Sequence, residues 1–380
     1  MGRYAGRFVV ETHTHVQRAA VKFKERGLKP STRQLYTDVA QVEWFDNSER
    51  LLYDMERYGI DMCILMSGGL ARGMDNDLDV KIAERYPDKF AVLCYPTTLQ
   101  NKVSRGEAKW SIEGALKETE ARLKTGKYKG IGQGVPVTEM GAFGELWATG
   151  ETKKKTEIIS HEELLDRYRM FLDLADKYKV AVSGIPKEES VLAPLAAEYP
   201  NVPLIAQLVG MGDESTTSHI QALCKIAERA KNVYLEMGLA PAELIEVALS
   251  DPNVGPTQII HGTDWGASHY IYSQPNRRIH GERFTSYANW VPKWGPARYQ
   301  SDFWGWSLHQ MDKLRDILTQ DELNLILGGN AARIFKLDVP YTRLFPEGRP
   351  DLWGIEWDKY TPFIPDEQVK EKRKKSRPAV

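Results

Sequence analysis

The chain has 380 residues, a formal net charge of −1, 42% hydrophobic and 27% charged residues. That balance supplies a large apolar core and gives no global field that would draw in nucleic acid or an anionic membrane. Three cysteines, with no pair at metal-ligand spacing, argue against a disulfide framework and fit a reducing compartment.

The first apolar run, Phe8-Val9-Val10, is too short for the core of a signal peptide, and no stretch approaches the ~18 apolar residues of a membrane span. A cytoplasmic protein with no membrane or nucleic-acid partner is expected. Short β-rich runs then alternate with amphipathic segments. The expected strands are Arg7 to Glu11, Asp61 to Met66, Phe90 to Tyr95, Gly130 to Gly134, Val180 to Ser183, Pro203 to Leu208, Val233 to Met237 and Gln258 to His261. The expected helices are Ser48 to Tyr58, Asp77 to Tyr86, Ile112 to Lys124, His161 to Tyr178, Ser190 to Tyr199, Thr216 to Ala230 and Pro241 to Leu249. Alternation of this kind implies parallel pairing through crossovers. Eight units predict a closed (β/α)8 TIM barrel over residues 1–337. An open doubly wound sheet usually carries a Gly-rich first turn, and this chain has Thr12-His13-Thr14-His15 there.

Three insertions interrupt the alternation: Val16 to Glu43, Met140 to Ser160 and the aromatic stretch Gly266 to Gln300. All follow strands, which places them on the C-terminal face where barrel active sites form. The aromatic insertion suits a lid or a subunit surface, so a homodimer or a hetero-oligomer with a paralogous subunit is expected. Residues 338–380 are read as a C-terminal strap ending in a basic tail.

His13 and His15 lie two apart where the first strand meets its loop. Side chains at that spacing share one side of a strand, and two imidazoles together suit zinc, iron, nickel or copper. Asp264 follows the last strand in Ile259-Ile260-His261-Gly262-Thr263-Asp264-Trp265. Around a closed ring it stands beside the first strand, able to ligate metal or to act as a base. Glu236 ends strand seven. Lys187 follows strand five, where it suits a carboxylate, as do Arg277 and Arg278 in the aromatic insertion.

The His-x-His after strand one, the Gly-Thr-Asp after strand eight and the segment Leu327-Gly328-Gly329-Asn330-Ala331-Ala332-Arg333-Ile334-Phe335 together resemble the amidohydrolase-related family. That family includes aminocarboxymuconate-semialdehyde decarboxylase, dihydroxybenzoate decarboxylases, hydrolases and hydratases. The resemblance implies a barrel with His13 and His15 as first-strand metal ligands and Asp264 as the last-strand acid. Where the family usually carries histidines at the ends of strands five and six, this chain has Ser183 and Gln207. Neither is a strong zinc ligand. The set that remains has the composition of a 2-His-1-carboxylate site, which suits zinc or iron, with His269 or His161 as possible fourth ligands.

The expected function is metal-dependent hydrolysis or C–C cleavage (decarboxylation) of a small carboxylated substrate. Asp264, Gln207 and Glu236 are the candidate catalytic groups, and Ser183, Lys187, Trp265 and His269 the candidate substrate contacts. Two alternatives share the fold: one subunit of a two-component non-haem metal hydroxylase or monooxygenase, and a catalytically reduced structural paralogue.

Overall fold

The structure, a computed structural model, describes residues 8–16, 48–67, 75–104, 107–138, 159–210, 216–265 and 303–338. The aromatic insertion with His269, Arg277 and Arg278, most of the other two insertions, and nearly all of the extension from 338 onward lie outside the described residues.

Eight strands form one all-parallel sheet in sequence order: β1 Val10–Thr14, β2 Met62–Leu65, β3 Phe90–Cys94, β4 Gly130–Ile131, β5 Ala181–Ser183, β6 Leu204–Ala206, β7 Val233–Glu236 and β8 Ile259–Ile260. The ring closes between its first and last members. Thr12 N donates to His261 O at 3.1 Å, Trp265 N to His13 O at 3.0 Å and His15 N to Trp265 O at 2.8 Å. The chain is therefore a (β/α)8 barrel, as its alternation predicts.

The helices pack outside this ring. They are α1 Ser48–Tyr58, α2 Asn76–Arg85, α3 Thr97–Ser104, α4 Ile112–Leu123, α5 His161–Tyr178, α6 Glu189–Glu198, α7 Thr217–Arg229, α8 Ala242–Ser250 and α9 Phe303–Lys313. Their ends carry the expected caps: the side chains of Asp75, Ser111, Ser160 and Thr216 each accept a backbone N–H of the first turn. Two of these nine helices escape the sequence pattern. α3 is short and mostly polar, and the aromatic run opening α9 hides its periodicity. No helix among the described residues is long and apolar enough to cross a membrane.

Strand alternation divides the apolar residues into two cores. Val9, Cys63, Leu65, Val92, Val182, Leu204 and Leu235 face the helices. Val10, Met62, Ile64, Ala91, Leu93, Ala181, Ile205, Tyr234 and Ile260 fill the barrel. The lower end of that inner core is closed by α10 Gln320–Asn324, a π turn Leu325–Gly329 and α11 Asn330–Ile334. This is the Leu327–Phe335 segment that stands out in the sequence, and its composition follows from its place. A Cβ on Gly328 would collide with the Phe8 carbonyl, and Asn330 Nδ2 donates to Pro256 O at 2.7 Å and Ile259 O at 2.8 Å. These bonds tie the plug to the base of β8.

The first strand differs from its expected bounds. It runs from Val10 to Thr14, so His13 lies inside it rather than after it. Between Glu11 and Thr14 its register against β2 slips: three steps on β1 match two on β2, from Cys63 to Leu65. One extra residue is a β-bulge, which bends a strand and re-aims its side chains. Val9 and Glu11 face the helical layer, while His13 and His15, past the slip, both reach the mouth of the barrel.

A buried polar network supports the neighbouring rim. Ser67 Oγ donates to Asp79 Oδ2 at 2.6 Å, and Asn76 Nδ2 donates to the same oxygen at 3.1 Å and to Leu93 O at 3.0 Å. Burial pushes the Asp79 carboxyl up to about 7, against the pull of these two donors. The folded state thus holds a proton between about pH 4 and pH 7 that the unfolded chain releases near ~3.9. The corresponding stability is fully present below that window and is lost as pH rises through it. Asp79→Asn keeps an acceptor for Ser67 and Asn76 and cannot ionise. Urea midpoints of the wild type are expected to fall relative to the variant between about pH 4 and about pH 7. Parallel curves would contradict the buried titration.

Candidate metal centre

Three side chains meet at the C-terminal mouth, between the ends of β1 and β8. His13 Nε2 and His15 Nε2 are 3.1 Å apart. Asp264 Oδ1 lies 3.3 Å from the first and 2.9 Å from the second. Both imidazoles are fully buried, whereas the Asp264 side chain keeps 9% of its surface open. Asp264 adopts φ +58, a left-handed conformation uncommon outside glycine but several-fold enriched in aspartate. Such strain collects at sites that demand a fixed side-chain direction.

The outer nitrogens fix the tautomers. His13 Nδ1 is 2.8 Å from Glu236 Oε1, and His15 Nδ1 is 2.8 Å from the Met66 carbonyl. A carboxylate and a carbonyl both accept, so each Nδ1 carries the hydrogen and, in the neutral ring, each Nε2 presents a lone pair. Two lone pairs and a carboxylate oxygen then converge on one point, an arrangement whose mutual repulsion a bound cation would relieve. Burial disfavours a charged His13, yet the nearby Glu236 and Asp264 carboxylates outweigh it and raise its pKa.

Donors bound at ~2.0–2.1 Å in tetrahedral geometry stand ~3.3 Å apart. The observed separations of 2.9, 3.1 and 3.3 Å match that spacing closely. Residues and geometry both fit a divalent transition metal. Among the described residues this is the cluster of histidine and carboxylate donors able to hold one.

Around these donors stand residues with less obvious sequence signals. Glu11 sits behind β1, fully buried. Its Oε1 accepts from His13 N at 2.9 Å and Thr263 N at 2.7 Å, and its Oε2 from Thr263 Oγ1 and Trp304 Nε1, both at 2.8 Å. Burial lifts its carboxyl to about 7 even though the hydrogen bonds from Thr263 and His13 lower it. Glu11 thereby links the strand bearing His13 to the loop bearing Asp264.

The Gly-Thr-Asp motif now has a physical reading. A Cβ at Gly262 would lie 2.6 Å from Thr12 Oγ1 and 2.7 Å from the Glu236 carboxylate. Thr263 bonds Glu11, and Asp264 places its Oδ1 beside both imidazoles. His261 is buried, with Nε2 3.0 Å from Ser307 Oγ. Desolvation pushes it down to about 4, so it is neutral at pH 7.

The other sequence candidates take varied places. Glu236 lies behind His13: besides the imidazole, it accepts Thr12 Oγ1 at 3.2 Å and Leu208 N at 3.2 Å. Ser183 and Gln207, where the resemblance implies histidines, bond each other through Gln207 Nε2 and Ser183 Oγ at 2.9 Å. Gln207 Nε2 also meets Met66 Sδ at 3.3 Å. Lys187, half-buried, donates to Gln207 O at 3.1 Å. Trp265 stacks on Trp304 at 5.9 Å between centroids and donates to Asp54 Oδ2 at 3.3 Å, within the core between barrel and helices. His161 is exposed at the start of α5.

Gln133 is new to the site. It follows β4 by two residues, is buried, and its Nε2 lies 3.0 Å from His13 Nε2. No periodicity or motif in Ile131-Gly132-Gln133-Gly134 singles it out.

No family model matches this chain, and no curated protein matches it. Solved structures do. A 2,6-dihydroxybenzoate decarboxylase complexed with 2,6-dihydroxybenzoate superposes over 88% of this chain and 99% of its own, with a TM-score of 0.50 and 14% identity. An amidohydrolase from Burkholderia multivorans with bound HEPES covers 87% of this chain and 100% of its own, with a TM-score of 0.50 and 11% identity. At such identities the likeness speaks to architecture: the chain shares the barrel fold of these two proteins.

Proposed function

We propose that this chain is a metal-dependent enzyme that hydrolyses or decarboxylates a small carboxylated substrate at the barrel mouth. The observation that carries the reading is the convergence of His13 Nε2, His15 Nε2 and Asp264 Oδ1 within 3.3 Å of one another, with both imidazole hydrogens committed elsewhere. A bound divalent ion, zinc or iron, would polarise a substrate oxygen or a water there.

This chain's own groups divide the remaining work. Asp264 is the donor with open surface, so it is the one placed to take or return a proton at the substrate. Gln207 Oε1 is buried and has no hydrogen-bond partner among the described residues, which suits a hydroxyl or protonated acid of the ligand. Lys187, tethered beside it, offers a cation for a carboxylate. Ser183 orients the Gln207 amide. Glu236 acts through His13 by holding its Nδ1 hydrogen, a carboxylate–histidine arrangement that raises ligand basicity. Likeness of fold to a decarboxylase complexed with a small aromatic acid supports the substrate class.

A second reading has its own support. Two histidines and one carboxylate are the donors of non-haem iron oxygenases, and Ser183 and Gln207 stand where further histidines would fill the site. One subunit of a two-component oxygenase, paired with a paralogous chain, fits that set.

The experiment is a panel of small aromatic and aliphatic carboxylic acids and lactones, followed by mass spectrometry. Metal-stripped protein is compared with protein reloaded with Zn(II), Mn(II) or, without air, Fe(II). Turnover that appears only on reloading supports the first reading. Iron-dependent dioxygen uptake moves the assignment to the second. Turnover undiminished in stripped protein contradicts both.

A further inference from the structure

We propose that Gln133 is a fourth ligand of this centre, its side-chain amide turning to present Oε1 to the bound ion. The inference rests on the metal reading above and adds a residue and a preference to it.

The geometry makes the two states of this amide mutually exclusive. Gln133 Nε2 donates to the lone pair on His13 Nε2 across 3.0 Å. That lone pair is the one an ion would take, because His13 Nδ1 is occupied by Glu236. An ion and the amide N–H therefore compete for the same electrons. Once the ion wins, an unrotated amide would aim its hydrogens at a positive charge. Rotation about the last torsion exchanges the amide nitrogen and oxygen with almost no movement of heavy atoms. The oxygen then stands about 3 Å from His13 Nε2, the same donor-to-donor spacing as within the cluster.

The backbone holds Gln133 there and leaves its side chain free to turn. Gln133 N donates to Ser67 O at 2.9 Å, and Gly134 N donates to Ser183 O at 2.8 Å. The segment is thus pinned to the ends of both β2 and β5. Among the described residues the amide makes no hydrogen bond besides the one to His13, so turning sacrifices only the bond that the ion displaces. Ser183 and Gln207 are bonded to each other instead. A carboxamide oxygen is a harder donor than a third imidazole. The resulting pair of nitrogens and pair of oxygens shifts preference away from sites of the all-nitrogen kind, toward Mn(II) and Fe(II).

Cobalt(II) serves as the probe, because its visible absorption reports the donors around it without any turnover. Metal-stripped wild type, Gln133→Ala and Gln133→Glu are titrated with cobalt against a competing chelator, and thermal unfolding of each stripped protein checks the fold. Gln133→Ala is expected to bind about 10-fold more weakly or worse, with a changed spectrum. Gln133→Glu supplies an anionic oxygen at the same place and is expected to bind more tightly than wild type. If Gln133→Ala does not fold, Gln133→Glu decides alone: binding no tighter than wild type overturns the proposal. Equal affinity and superimposable spectra for wild type and Gln133→Ala also overturn it. Absence of cobalt binding by wild type removes the metal centre itself, and the role of Gln133 with it.

Discussion

Asp264→Ala and His13→Ala are each expected to weaken divalent-metal binding by more than the ~10–100-fold that loss of an outer hydrogen-bond partner costs. Each removes one of three converging donors, and neither the neighbouring carboxylate nor the second imidazole can cover two positions. Glu236→Gln marks the lower bound. It leaves all three donors in place and removes only the charge that holds the His13 Nδ1 hydrogen, so its loss is expected inside the ~10–100-fold range. Chelator competition measures all three. A linked effect appears in unfolding: an ion at 1,000 times its dissociation constant stabilises the folded state by about 4 kcal/mol. Wild type should therefore melt higher with metal, and Asp264→Ala should not. Equal metal-dependent shifts in both proteins would contradict the ligand assignment.

The largest expected effect on stability belongs to Glu11. Its two oxygens accept four hydrogen bonds in a fully buried setting, from His13 N, Thr263 N, Thr263 Oγ1 and Trp304 Nε1. Glu11→Ala strands those donors, and each unsatisfied buried group costs about 1–3 kcal/mol. A loss of at least ~3 kcal/mol is expected by chemical denaturation. Glu11→Gln is the sharper variant. It keeps the shape but turns an amide NH2 toward one pair of donors, so about 1–3 kcal/mol is expected from that end alone. Because Glu11 joins β1 to the loop carrying Asp264, Glu11→Gln should also weaken metal binding. Unchanged stability in both variants would show that the carboxylate is not the fastener between β1 and β8.

Much of this was legible in the sequence, for identifiable reasons. The barrel announces itself because eight β-rich runs alternate with amphipathic helices, and burial on both strand faces requires those continuous apolar runs. His13 and His15 stand out as two imidazoles two apart at a strand end, and Asp264, an ordinary turn residue by itself, gains meaning because closure of the ring makes first and last strands adjoin. The bulge in β1 has no such signal. Nothing in Val10-Glu11-Thr12-His13-Thr14 tells a reader where the register slips, so Glu11 looked like one more strand-end residue. Its partners lie 252 and 293 positions away, beyond any local pattern. Gln133 is silent for the opposite reason: a neutral amide is ordinary in a loop, and only the distance to His13 gives it meaning. Trp265 shows the limit of reading by adjacency. It neighbours Asp264 in the chain but packs against α1 and α9 in space.

Metal content is the measurement that bears most directly on the central claim. Native protein from cells supplied with zinc, iron and manganese is assayed by elemental mass spectrometry beside His15→Ala and Asp264→Ala. A site built from His13, His15 and Asp264 predicts about one transition-metal ion per chain in the wild type and its loss from both variants, with each variant still folded. Metal-free wild type, or variants that retain the same ion at the same level, would contradict it.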